Sequence, residues 1–140
     1  MNLVRSLFLA VILSVSSGSV ATAQDFDKGL VAHNAGDFVT ALEEWRPLAE
    51  QGDAAAQYNF GLMYENGNGV LQDYAEAVRW YRLAAEQGNA RAQTNLGGKY
   101  EFGKGVLQDH AEAVRWYRLA AEQGNARRKP ILVGCTNLAK

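Results

Sequence analysis

Few side chains in this sequence are of a type that does acid–base or covalent chemistry. Among 140 residues there are two histidines, His33 and His110. A histidine base must hold a titratable nitrogen within reach of a proton. His110, however, fills a slot that Tyr74 occupies 36 residues earlier. A position shared with tyrosine suits a surface or half-buried filler better than a base. No Ser/His/Asp grouping, glycine loop following a strand, or recurring metal-ligand spacing is present. Glu43-Glu44 has the charge for a cation, but a solvated helix face accounts for it. Asn66-Gly67 and the glycines at 69, 103 and 105 punctuate loops and do not cradle phosphate. The sequence offers no catalytic residue, no metal ligand and no cofactor site.

Recognition chemistry is better represented. An Asn amide carries two donors and an acceptor, which suits an extended peptide backbone. Asn59 and Asn95 recur 36 residues apart, flanked by positions that differ between copies: Tyr58 against Thr94, and Met63 against Lys99. These six are the first candidates for partner contact. The competing assignment has the two asparagines tying down their own helix pair. Trp80 and Trp116 are a second pair of candidates, because they align with Glu44 and partly exposed aromatics anchor interfaces. Packing over the next helix is the alternative for them. Arg79, Arg82, Arg115 and Arg118 lie near Glu76 and Glu112, where surface ion pairs are expected.

A repeat positions these residues. GVLQDYAEAVRWYRLAAEQGNA (69–90) and GVLQDHAEAVRWYRLAAEQGNA (105–126) differ at a single position. The 36-residue offset extends back through AQYNFGLMYENG (56–67) against AQTNLGGKYEFG (92–103), and into Asp37–Gly52. Upstream of Gly36 it falls to 32, so Gly29-Leu30 answers Gly61-Leu62. A fixed period of this size marks a solenoid. Each unit reads as two helices, with apolar residues at spacings of three and four. Asp73 and Asp109 are suitable N-caps, with Glu76 and Glu112 placed to complete capping boxes. Gly88 and Gly124 stand where a left-handed terminal residue is wanted. Gly97 is expected to admit a neighbouring backbone. The reading is all-α: six helices near 26–34, 37–51, 54–65, 73–87, 90–101 and 109–123, in units of about 26–52, 53–88 and 89–124.

The motif A-x-x-N-x-G-x-x-Y-x-x-G-x-G-V followed by D-x-x-x-A-x-x-W-Y-x-x-A-A-E-Q-G resembles the Sel1-like repeat (SLR), a relative of the tetratricopeptide repeat. The likeness is strong over 54–126, with 26–53 as a shorter, tetratricopeptide-like opening unit. It implies an α-solenoid whose first-type helices line a concave face, and a role as an interaction scaffold, often in exported or envelope-associated bacterial proteins. A cysteine-rich subgroup of the family is linked to β-lactam binding or hydrolysis. The paired cysteines of that subgroup are missing here, so the activity is not carried over.

The two ends read differently from the repeats. Met1–Ala23 has Arg5, an apolar run at 7–15 and Ala21-Thr22-Ala23, the layout of a secretory signal peptide cleaved after Ala23. A periplasmic or secreted protein is expected, with no membrane span once the leader is removed. After Arg127 the repeat should continue AQTNLGGKYEFGK, but the chain reads RKPILVGCTNLAK. Codons for this segment exist that, one nucleotide out of frame, encode AQTNLGGLYEFGK. The tail 127–140 therefore reads as a frameshift product that leaves Val114, Tyr117 and Ala121 partly uncovered, with self-association of an otherwise monomeric chain as a consequence. Residues 24–126 hold 9 basic and 15 acidic side chains, while 127–140 carry four positive charges. No basic surface for nucleic acid emerges, and the expected partner is a protein or peptide. A single cysteine, Cys135, excludes an internal disulfide.

Overall fold

The computed structural model describes residues 22–127, with side chains over 26–124. The expected leader up to residue 21, and the tail from Arg128 onward with Pro130, Cys135 and Lys140, lie outside the described residues. Six helices follow one another: α1 Thr22–Asn34, α2 Phe38–Glu50, α3 Ala54–Asn66, α4 Tyr74–Glu86, α5 Ala90–Phe102 and α6 His110–Arg127. Among the described residues there is no strand, and each helix packs chiefly on the next in chain order, from α1 on α2 to α5 on α6. That connectivity is a solenoid of three helix pairs. The inner helix ends fall within one residue of those expected from the sequence. No described helix is long and apolar enough to cross a membrane.

Short acidic and amide side chains start the helices. Asp37 accepts from the Thr40 amide at 3.1 Å, Asp53 from Ala56 at 2.7 Å and Asn89 from Ala92 at 3.0 Å. Asp73 and Asp109 each take two amides, those of Ala75 and Glu76 and of Ala111 and Glu112. Only half of each expected capping box forms. Glu76 and Glu112 turn away to pair with Arg79 and Arg115 at 3.1 and 3.0 Å, where both partners of the hydrogen bond are charged. Arg82 also departs from expectation, donating to the Tyr100 hydroxyl at 2.7 Å.

Gly88 closes α4 with φ +92, as anticipated. Gly124 does not: it stays helical, and α6 runs on to Arg127. At α4 the left-handed turn is held by α5 packing beyond it. At Gly124 ordinary helical geometry continues instead.

The core forms two clusters. The first joins Ala41, Leu42, Trp45, Leu48, Phe60, Met63 and Trp80; the second joins Ala77, Val78, Tyr81, Ala84, Leu96 and Trp116. Trp80 and Trp116 thus reach back into the core of the preceding unit. Each first-type helix also carries a glycine under an aromatic ring. A Cβ on Gly97 would sit 2.8 Å from the Tyr117 ring, and one on Gly61 or Gly29 closer still to Tyr81 or Trp45. What Gly97 admits is therefore a ring, not the neighbouring backbone expected for it. The backbone approach occurs at Gly105, where a Cβ would collide with the Tyr74 carbonyl.

Candidate partner-binding face

Helices α1, α3 and α5 line two adjoining grooves. One is bounded by Phe26, Leu30, Tyr58 and Asn59 together with Gly88–Arg91 and Gln123 of α6, and has a volume of about 450 Å³. The other, between α3 and α5, has Leu62, Glu65, Thr94, Asn95, Lys99 and Phe102 in its wall. The six first candidates therefore divide. Tyr58 and Asn59 are half-buried in one groove, while Thr94 is exposed and Asn95 half-buried in the other. Among the described residues Asn59 has no hydrogen-bond partner. Asn95 is already engaged, its amide interacting with the Tyr81 hydroxyl.

Met63 and Lys99 must be reassigned. Met63 is 0% exposed and lies in the first core cluster. Lys99 is 5% exposed, its ammonium paired with the Glu65 carboxylate and 5.0 Å from the Tyr74 ring centroid. Their variation between units is a swap of core partners, with the ion pair standing where Met63 supplies apolar volume. Glu65 also accepts from the Tyr81 hydroxyl at 2.5 Å. Burial first, and then the Glu65 carboxylate, push the Tyr81 phenol well above its ordinary range. The equivalent Tyr117 donates to Glu101 at 2.7 Å, and that bond, followed by desolvation, pushes its pKa up to about 12. Both shifts stabilise the neutral phenol as a donor.

The tryptophans are core residues too. Trp80 and Trp116 are 7% and 5% exposed, Trp80 packs edge-on against Phe60 at 5.2 Å, and each indole lies under an arginine, Arg79 at 4.3 Å and Arg115 at 4.4 Å. Such burial removes them from any open interface. Both pack back on the preceding unit, not over the next helix. Among the described residues their indole N–H groups have no hydrogen-bond partner. His33 lies between Phe38 and Trp45, with ring centroids 5.4 and 5.6 Å away. His110 is exposed. No cluster of three His, Cys, Asp or Glu suited to a metal occurs among the described residues.

Two glutamines escaped the sequence reading. Gln57 and Gln93 are buried; each donates to the closing carbonyl of the preceding helix, Ala49 at 3.1 Å and Ala85 at 3.0 Å. Each also accepts from a glutamine 30 residues on, Gln87 at 2.7 Å and Gln123 at 2.9 Å. The available signal was the Ala-Gln dipeptide repeated at 56–57 and 92–93.

Comparisons with known proteins agree with this architecture. The family model described as Sel1 repeat matches residues 54–89 and 90–125, leaving the shorter opening unit outside the match. Among solved structures, a protective antigen present in uropathogenic Escherichia coli strains, displaying an SLR fold, is 46% identical with a TM-score of 0.70. The alignment covers 74% of this chain but 23% of that one. A Sel1 repeat protein from Oxalobacter formigenes is 40% identical with a TM-score of 0.68, over 73% of this chain and 42% of that one. The chain thus spans less than half the length of either. No curated protein matches. On the matched repeats, with their shared spacing and fold, the chain belongs to the Sel1 repeat family.

Proposed function

We propose that this chain is an exported, non-catalytic scaffold that holds a protein or peptide of the bacterial cell envelope on the face formed by α1, α3 and α5. One observation carries the reading: the uncommitted Asn59 amide sits in a groove beside Phe26, Leu30 and Tyr58. An extended segment laid there hydrogen-bonds its backbone to Asn59 while an apolar side chain enters the groove. Thr94 in the adjoining groove extends the same contact line.

Support for a non-catalytic role comes from how the titratable groups are used. His33 packs among aromatic rings, Glu65 and Lys99 satisfy one another, and Tyr81 and Tyr117 are held neutral. The test is a pull-down from envelope extract with wild type, Asn59→Ala and Thr94→Arg, each checked for a cooperative helical melt. Loss of the same partner from both variants supports the reading; retention by both overturns it. Nitrocefin hydrolysis abolished by a single side-chain change would replace it with the envelope-enzyme alternative.

A further inference from the structure

The outer face of α6 is the open counterpart of a face that is closed one unit earlier. On α4, Val78 is 3% exposed and Tyr81, Ala84 and Ala85 are buried. Thirty-six residues on, Val114 is 54% exposed, Ala121 is exposed, and Tyr117 and Ala120 are half-buried. The molecule itself shows what fits such a face. Ala92 and Leu96 of α5 pack into the α4 cluster, and Gln93 donates to the Ala85 carbonyl. On α2, Ala56, Gln57 and Phe60 of α3 do the same, with Ala49 as the acceptor. The requirement is a helix with a small residue, a glutamine and a large apolar residue at positions one, two and five.

We propose that α6 docks in trans a helix of this Ala-Gln-x-x-Leu type, supplied by another repeat protein, with the Ala121 carbonyl receiving the glutamine. A folded second copy does not offer such a helix free, because its α3 and α5 are already packed on α2 and α4. Its end helix α1 carries Lys28, paired with Glu44, where α5 carries Leu96 and α3 carries Phe60. Docking also has a conformational counterpart. Ala121 lies inside α6; if the helix ends at Gly124, as α4 ends at Gly88, its carbonyl takes a side-chain donor beside a backbone amide, as Ala85 accepts Gln93 beside the Gly88 amide. Glycine makes that left-handed ending accessible without strain. Gln123 of α6 borders the Asn59 groove, but Val114 lines neither groove, so a change at Val114 tests this surface independently of them.

The experiment measures fluorescence anisotropy of a labelled peptide with the sequence of residues 89–104, NARAQTNLGGKYEFGK, titrated with the full chain. Saturable binding is expected. Val114→Glu in the protein, or Leu96→Asp in the peptide, should weaken it by about tenfold or more, since either places a charge in the apolar contact. Val39→Glu, at a similarly exposed apolar position on α2, should leave it unchanged and controls for folding. No saturable binding, or binding indifferent to Val114→Glu, overturns the proposal. So does equal competition by a peptide of residues 24–36, or a concentration-dependent dimer dispersed by Val114→Glu, because both assign the face to a second copy.

Discussion

The Gln93 side chain donates to the Ala85 carbonyl at 3.0 Å from a position 4% exposed, which ties the start of α5 to the end of α4. Gln123 bonds to the same side chain, so one amide links both helices of the third unit to the end of α4. Gln93→Ala removes a buried donor and orphans its partners, at a cost of about 1–3 kcal/mol. Gln57→Ala should cost a similar amount, its bonds being the same. Urea unfolding of each variant measures this; midpoints equal to wild type would show that the ladder contributes nothing.

The glycines beneath the aromatic rings should respond unequally to alanine. Gly61 lies under Tyr81, which is fully buried, so a new methyl group has nowhere to push the ring. Gly61→Ala should destabilise by about 1–3 kcal/mol through overpacking. Gly97 lies under half-buried Tyr117, which has solvent on one side. There the relief of about 1 kcal/mol from replacing a mid-helix glycine offsets the clash, and Gly97→Ala should be near neutral. Equal losses in thermal or urea melts would contradict this difference in packing.

The Glu65–Lys99 pair should behave as a buried ion pair that an apolar residue can replace. Glu65→Leu strands the Lys99 ammonium and should cost about 3 kcal/mol. Lys99→Met copies Met63 of the preceding unit and should stay within about 1 kcal/mol of wild type, because the more exposed Glu65 keeps its bond from Tyr81. Adding Lys99→Met to Glu65→Leu should then recover most of the loss. A double variant no better than Glu65→Leu would contradict the pairing.

Alkali should unfold the protein through its tyrosines. The Tyr117 pKa is about 12, against about 10 for an unfolded tyrosine, and Tyr81 is also raised. Between those values the folded chain retains protons that the unfolded chain has released, so stability declines with rising pH. The contribution is complete below about pH 10 and is lost as pH rises through the folded value. Phenolate absorbance followed alongside denaturant melts checks this; Tyr81→Phe and Tyr117→Phe should each flatten the decline.

The repeat made the helices legible, because Asp37, Asp53, Asp73, Asn89 and Asp109 recur in register and cap whatever follows them. The candidate face was half legible. Tyr58 and Thr94 stand out by variation between copies and Asn59 by recurrence, and all three line the grooves. Met63 and Lys99 were misplaced by the same logic, since Lys99 is buried only by virtue of Glu65, 34 residues away. Periodicity places a side chain on a helix face but does not name its partner across units. Gln57 and Gln93 were hidden for a related reason: a first-turn glutamine looks solvated until the carbonyl behind it is seen. Trp80 and Trp116 were ambiguous because their burial depends on the core of the preceding unit.

Replacing Asn59, Thr94 and, for comparison, the exposed Leu83 of α4 with a photo-crosslinking residue, then irradiating the chain in envelope extract, tests the central claim most directly. The account predicts one adduct common to positions 59 and 94 and absent at 83. Adducts alike at all three positions, or none at 59 and 94, would contradict it.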